Sequence, residues 1–198
     1  MENTAKLFTV KKITISGLLL ALEIVFQFIG NYVAFGPVSI NLSLIPIAVG
    51  AILYGPLVGG FLGFFNGLLV ILAPATISIF MSISVWGTLL TCLLKCTIAG
   101  VVAGLVYKLF KKHKIVGGII SSLLVPIINT GLFCLSCLTI FSSFLNENVG
   151  SYDNIYVFLL LGVVGWNFIF EISVTGILSV PLSKFIVVID NNIQRRNA

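Results

Sequence analysis

Long apolar runs separated by short polar segments dominate the chain. Five runs are evident, over residues 13–34, 42–72, 84–107, 116–141 and 155–188. A helix needs roughly 20 apolar residues to span the hydrocarbon core of a bilayer, and each run is long enough. The alternating strands typical of an outer-membrane barrel are absent from the sequence. The pattern therefore predicts an all-α fold, a polytopic bundle of transmembrane helices.

The run over residues 42–72 is interrupted by Tyr54-Gly55-Pro56. Proline lacks a backbone donor and clashes inside a helix, so a Gly-Pro pair favours a turn. We therefore expect two short helices, over about residues 42–53 and 57–72, instead of one tilted span. Helices this short need support from their neighbours or a locally thinner bilayer.

The positive charges decide between five and six spans. Ten of the 11 Lys and Arg residues lie in three clusters: Lys6, Lys11 and Lys12; Lys108, Lys111, Lys112 and Lys114; and Lys184, Arg195 and Arg196. Cytoplasmic connections of membrane proteins are enriched in these residues. Six spans place all three clusters inside, whereas five would put the middle cluster outside. The sequence thus predicts six transmembrane helices with both termini cytoplasmic.

Composition supports a single membrane domain. The chain is 59% hydrophobic and 9% charged, against about 25% charged residues in soluble domains, and its mean hydropathy is +1.18. Six spans account for nearly all of residues 1–198, which predicts one integral domain in a cell membrane, surrounded by lipid. The net charge of +5 reflects orientation, so no nucleic-acid partner is expected. Gly59, Gly63 and Gly67 lie four residues apart, a spacing that lets membrane helices approach closely.

Polar residues inside the apolar runs point to a cavity. A charged group within a bilayer is costly and usually faces a cavity or a partner. Three occur here, Glu23, Lys95 and Glu171, and further polar residues share helix faces with them or lie on neighbouring helices: Gln27, Asn31, Asn66, Thr88, Thr91, Asn129 and Asn167. Polar stripes from five helices predict a binding cavity for a small polar molecule. Trp86, Trp166 and nearby Phe side chains are candidates to stack on it.

Structural roles are open for several of these residues. Lys95 can neutralise Glu23 or Glu171 as an ion pair within the bundle. Asn66 and Asn129 can serve as hydrogen bonds between helices, and the two tryptophans as anchors at the membrane interface.

The sequence gives little support for catalysis. It contains no Walker A motif, so we expect no ATP hydrolysis by that route. Its four cysteines have no nearby histidine and read as core residues, so neither a metal nor a cofactor is expected. Two other functions stay open: a stand-alone transporter whose glutamates carry protons, and a small intramembrane enzyme that uses Glu23 and Glu171.

Five stretches resemble the substrate-binding S components of energy-coupling factor (ECF) vitamin transporters. They are residues 16–21 (SGLLLA), 44–50 (LIPIAVG), 53–56 (LYGP), 59–63 (GGFLG) and 126–133 (PIINTGLF). The similarity extends from about Thr14 to Lys184, in order and in spacing. The resemblance implies six helices, a vitamin bound in an outward-facing cavity, and uptake driven by partner subunits.

Those implied partners are a membrane coupling subunit and two cytoplasmic ATPases. Family members dock on the coupling subunit through small residues four apart on the first helix, here Gly17 and Ala21. These lie about 100° around the helix from the stripe of Glu23, Gln27 and Asn31, so one face can dock while another binds. The outer segment 35–41 would be the gating loop.

The segment that begins Phe35-Gly36-Pro37 most resembles members assigned to pantothenate. Lys95 would pair with its carboxylate, and Asn or Gln amides with its hydroxyl and amide groups. Riboflavin is the alternative, because it is neutral, flat and suited to aromatic stacking. Folate ranks lower, because a double anion favours more than one buried cation.

Overall fold

The computed structural model describes residues 2–32, 38–110, 112–150, 152–178 and 181, with side chains from residue 12 onward. Helices make up almost all of this part of the chain. They are α1 (Glu2–Asn31), α2 (Leu44–Tyr54), α3 (Pro56–Ile71), a π-helix (Thr76–Met81), α4 (Val85–Leu109), α5 (Lys114–Thr139), α6 (Ser142–Asn148), α7 (Ile155–Val163) and α8 (Gly165–Leu178).

Three of these helices are long and apolar enough to cross a membrane. They are the Lys12–Asn31 part of α1, α4 and α5, and the pair formed by α7 and α8 makes a fourth if its 46° bend lies within one span. The all-helical membrane fold is thus confirmed. Since α2 and α3 are apolar but short, the count of six spans and the cytoplasmic termini stay predictions.

The predicted turn at Gly55-Pro56 is confirmed. Helix α2 ends at Tyr54 and α3 begins with Pro56, whose missing N–H is not needed in the first helical turn. Gly55 between them has φ 87°, a conformation that side chains disfavour. A Cβ atom at Gly55 would lie 3.3 Å from Cε of Lys108, so this turn and the end of α4 are adjacent.

Glycine backbone contacts join α3 to α4. Gly59, Gly63 and Gly67 of α3 pack against the backbone of Gly100, Cys96 and Cys92 of α4, in that antiparallel order. A Cβ atom at Gly67 would lie only 2.7 Å from the carbonyl oxygen of Cys92. The close approach predicted from the glycine spacing is therefore confirmed, and it fixes the height of the neighbouring Lys95.

The buried core has two large parts. One joins α1 to α5 and contains Leu19, Ile47, Leu62 and Val125. The other is rich in aromatic side chains and contains Phe80, Phe133, Phe141 and Phe144, together with Leu145.

The second cluster explains why two of the segments between the apolar runs are partly helical. The π-helix lies within residues 73–83 and α6 within residues 142–154. Phe80 and Phe144 belong to these segments and are buried, with ring centroids 5.6 Å apart. Apolar burial therefore folds both segments back onto the bundle.

The last apolar run also differs from a continuous helix. The second part of α7, Phe158–Val163, is π-helical, and the chain bends by 46° between Val163 and the start of α8 at Gly165. Such π-helical turns commonly accompany bends. The expected continuation of this run to residue 188 lies outside the described residues, apart from Pro181.

Candidate binding cavity

One cavity collects polar side chains from several helices. Its polar lining consists of Gln27, Ser39, Asn41, Thr76, Thr88, Thr91, Lys95, Asn129, Thr130, Asn167 and Glu171. Its apolar lining consists of Val38, Val70, Ala75, Phe80, Cys92, Phe133, Phe141, Val164 and Phe168. An apolar cavity with a few convergent polar groups is typical of a small-molecule site.

Lys95 supplies the cavity with a positive charge. The side chain is 8% exposed and lies in the middle of α4. Its Nζ lies 4.8 Å from the centroid of the Phe133 ring, a cation–π contact. Among the described residues, no ion pair joins Lys95 to Glu23 or Glu171. The Lys95 ammonium group therefore contacts the Phe133 ring and can still pair with the negative charge of a ligand.

Glu171 and Asn167 lie one turn apart on α8 and hold the same segment. The Glu171 side chain is 6% exposed, and its Oε1 accepts the backbone N–H of Asn41 at 2.8 Å. Nδ2 of Asn167 donates to the backbone carbonyl of Val38 at 2.7 Å. Asn167 and Glu171, which share one face of α8, thus both bond to the backbone of the segment that precedes α2. We call residues 38–43 the strap.

Amide side chains hold the far end of the strap. Oγ of Ser43 lies 3.0 Å from Oε1 of Gln27 and also contacts Oδ1 of Asn41 and Nδ2 of Asn66. A hydroxyl group has one proton, so Ser43 donates to only one of the two oxygens at a time. Asn41 Nδ2 donates to Asn66 Oδ1 at 3.2 Å, and Gln27 Nε2 to Asn31 Oδ1 at 3.0 Å.

The predicted stripe on α1 is therefore divided. Gln27 lines the cavity, whereas Asn31 is bonded to Gln27 from one turn further along the helix. Asn66 belongs to the network that holds the strap and, like Asn31, does not line the cavity. Asn129 does line it, with its Oδ1 3.4 Å from Sγ of Cys96.

Glu23 is buried beside these groups without a partner. Its side chain is 0% exposed and does not line the cavity. Within the part of the chain that the structure describes, neither carboxylate oxygen has a hydrogen-bond partner. A buried polar group in this state destabilises the fold by about 1–3 kcal/mol.

The tryptophans lie away from the cavity, and phenylalanines form its aromatic wall. Trp86 is 77% exposed and Trp166 is 68% exposed, and neither lines the cavity. The rings of Phe80 and Phe133 line it instead, with centroids 5.4 Å apart in an edge-to-face arrangement. Phe80 and Thr76 lie between two apolar runs and are not among the lining residues predicted from the sequence. The apolar pair Ile79-Phe80 is a sequence signal that could have indicated an inward-folded segment.

The face of α1 that carries Gly17 and Ala21 is open. Gly17 and Ala21 are exposed, and nothing described lies within 4 Å of a Cβ atom placed at Gly17. An apolar groove runs beside Gly17, lined by Lys12, Ile13, Ser16, Gly17, Leu20, Val58 and Phe61. Glu23 and Gln27 are buried, so the two predicted faces of α1 differ in burial.

Comparison with known proteins identifies the family. A family model described as "ECF transporter, substrate-specific component" matches residues 11–183. The chain belongs to this family of S components. No curated protein and no solved structure gives a significant match.

Membership fixes the general activity. An S component is a substrate-binding transport subunit and not an ATPase. It lies in the membrane with several spans and works with the coupling subunit and ATPases of an ECF module. The cavity around Lys95 is therefore the candidate site for the substrate.

Proposed function

We propose that this S component binds pantothenate from outside the cell and delivers it to an ATP-driven importer. The observation that carries the proposal is Lys95, a buried cation that lines the cavity and has no carboxylate partner among the described residues. A buried charge is costly unless it is paired, so a ligand carboxylate would relieve this cost.

The remaining polar lining suits the rest of the molecule. Pantothenate carries two hydroxyl groups and an amide besides its carboxylate. Gln27, Asn129 and Asn167 offer amides that both donate and accept, and Thr88 and Thr91 offer hydroxyl groups. Thr91 lines the cavity, and its Oγ1 is buried without a hydrogen-bond partner in the described part of the chain.

We further propose the six-span arrangement with both termini in the cytoplasm of a bacterial cell. Here α2 and α3 are the second and third spans, and α7 with α8 is the sixth. The contact between Gly55 and Lys108 supports this arrangement, because it puts the turn between α2 and α3 at the lysine-rich end of α4. Positive residues favour the cytoplasmic side.

The coupling subunit would dock on the open face of α1. Gly17 leaves room for a close helix contact, and the groove beside it is walled by Leu20, Val58 and Phe61. Small residues at this spacing are typical of helix pairs in membranes. Two ATPase subunits would then drive release of the vitamin to the inside.

Riboflavin is the second candidate, because Phe80, Phe133, Phe141 and Phe168 all line the cavity. Such a wall can stack on a flat ring system. Riboflavin lacks a carboxylate, however, and would leave Lys95 without a counter-charge.

Binding measurements on the purified chain test the proposal. Isothermal titration calorimetry with pantothenate and with riboflavin is run on wild-type protein, Lys95→Met and Lys112→Met. Lys112 is exposed, so its variant is the matched control for loss of one positive charge. We expect pantothenate to bind the wild type and the control, and to bind Lys95→Met at least about 10-fold more weakly. Riboflavin binding without pantothenate binding would contradict the proposal.

A further inference from the structure

We propose that Glu171 selects the hydrogen-bond donor groups of the ligand, while Lys95 pairs with its carboxylate. The preferred substrate is then an acid that also carries hydroxyl or amino groups. This inference rests on the proposed function and goes one step further, because it assigns separate parts of the ligand to two oppositely charged residues.

The first observation is the state of the Glu171 carboxylate. Glu171 lines the cavity, and its Oε1 is occupied by the backbone N–H of Asn41 at 2.8 Å. Over the ranges that the structure describes, Oε2 has no hydrogen-bond partner. Oε2 of Glu171 also keeps some accessible surface, whereas the two carboxylate oxygens of Glu23 are completely buried. A carboxylate accepts several hydrogen bonds and donates none when ionised, so its free capacity matches a donor.

The second observation is that Glu171 and Lys95 do not form an ion pair with each other. Glu171 and Lys95 line the same cavity, yet no ion pair between them occurs in the described residues. Each therefore has capacity for a ligand group of its own: an anion at Lys95 and a donor at Glu171.

The third observation links the ligand to the strap. The oxygen that would receive the ligand donor is not the one that holds Asn41. A ligand that donates a hydrogen bond to Oε2 can thus bind without breaking the hydrogen bond between Asn41 and Glu171 that holds the strap. A ligand without donors would bury the remaining oxygen unpaired, which is unfavourable. Glu171 thereby favours hydroxylated acids over plain ones of the same shape.

The test compares three ligands on three proteins. The ligands are pantothenate, its dideoxy analogue, which lacks both hydroxyl groups, and pantothenol, which lacks the carboxylate. The proteins are the wild type, Glu171→Gln and Glu147→Gln. Glutamine keeps a carbonyl oxygen for Asn41, so the strap contact is preserved, and the exposed Glu147 is the matched control. Dissociation constants are measured by calorimetry, and folding is checked by thermal unfolding.

We expect the wild type and Glu147→Gln to prefer pantothenate to its dideoxy analogue by roughly 10- to 100-fold. Glu171→Gln should lose most of that preference and keep the preference for pantothenate over pantothenol, which depends on Lys95. An unchanged preference for the hydroxylated ligand in Glu171→Gln would overturn the inference. So would an equal loss of affinity for all three ligands, because that result identifies a structural role.

Failure of the proposed function gives a different result. A wild-type protein that binds riboflavin and not pantothenate would contradict both the pantothenate assignment and the acid half of the inference. The proposed role of Glu171 toward ligand hydroxyl groups is then tested by comparing riboflavin with lumiflavin, which lacks the hydroxylated side chain. An unchanged ratio between these two in Glu171→Gln would overturn that role as well.

Discussion

The backbone N–H of Asn41 donates to Oε1 of Glu171 at 2.8 Å, across 130 residues of sequence. A bond from a backbone amide to a carboxylate is charge-assisted when the carboxylate is ionised. With the bond from Asn167 to Val38, it fixes the strap between the start of α2 and the polar face of α8. The strap, which lines part of the cavity, is therefore attached to α8 by two side chains, besides its bonds to Gln27 and Asn66.

Removing the second of these attachments should speed ligand release. Asn167→Ala loses the 2.7 Å bond to the carbonyl of Val38. A hydrogen bond of this kind stabilises the attached strap by about 0.5–1.5 kcal/mol. If its loss destabilises only the ligand-bound state with the strap attached, the ligand should dissociate roughly 2- to 10-fold faster. Stopped-flow measurement of pantothenate release checks this. Asn148→Ala is the control, because Asn148 is exposed and its side-chain amide, among the described residues, donates only to the carbonyl of Phe144 within α6. A slower or equal rate in Asn167→Ala would contradict the attachment role.

Replacing Glu23 by an apolar residue should stabilise the protein. Both its carboxylate oxygens are buried without a hydrogen-bond partner among the described residues. We expect Glu23→Met to raise the free energy of unfolding by about 1–3 kcal/mol, observed as a higher midpoint of thermal unfolding in detergent.

The exposed Glu147 provides the control, since Glu147→Met should change the free energy of unfolding by less than about 0.5 kcal/mol. A lower midpoint for Glu23→Met would mean that its carboxylate does stabilise the fold.

A methyl group at the α3–α4 contact should destabilise the bundle. A Cβ atom at Gly63 would collide with the backbone of Cys96, which cannot move aside as a side chain can. We expect Gly63→Ala to lower the free energy of unfolding by about 1–3 kcal/mol. It should also weaken ligand binding, because Lys95 adjoins Cys96.

Gly131→Ala is the matched control, because nothing described lies within 4 Å of its Cβ position. Helix propensity alone should stabilise that variant by up to about 1 kcal/mol. Equal thermal midpoints for the two alanine variants would argue against backbone contact between α3 and α4.

A bulky residue at Gly17 should separate binding from assembly. Gly17→Trp fills the open face of α1 and leaves the buried face with Gln27 unchanged. We expect an unaltered dissociation constant for pantothenate and loss of co-purification with the coupling subunit. Ile29→Trp is the control, because Ile29 is 48% exposed and lies about 120° around the same helix from Gly17. Assembly of Gly17→Trp at wild-type levels would exclude this face as the docking surface.

Aromatic substitutions should distinguish the outer surface from the cavity wall. Trp86→Leu should change pantothenate affinity by less than about 2-fold, because the side chain is 77% exposed. Phe133→Leu should weaken it about 5-fold or more, because the ring that faces Nζ of Lys95 at 4.8 Å is lost. Calorimetry on both variants gives the comparison, and the opposite order would return Trp86 to the binding site.

Helix geometry made much of the site predictable. Residues four apart share a helix face, so Asn167 with Glu171 could be placed together from spacing alone. The same rule put Gln27 beside Asn31, and the two side chains are in fact bonded to each other. What spacing cannot give is depth: Glu23 shares the face of Gln27, yet it is buried outside the cavity.

Long-range contacts were beyond the sequence for a physical reason. Asn41 and Thr76 line the cavity only because distant elements, α8 and the aromatic cluster around Phe133, hold their segments inward. The glycine spacing predicted a close helix contact but not that Cys92 and Cys96 would be its counterpart. Such pairings follow from tertiary packing, which a periodic pattern along one helix does not encode.

The glycine contact between α3 and α4 also determines which parts of the molecule can act as moving parts. Where two backbones meet at Gly59, Gly63 and Gly67, there are few side-chain rotamers that can rearrange. We therefore expect α3 and α4 to move little relative to each other, with Lys95 carried on α4. Any rearrangement that admits a substrate is then expected at the strap and α8. The carboxylate bound at Lys95 would then keep its position while the strap moves.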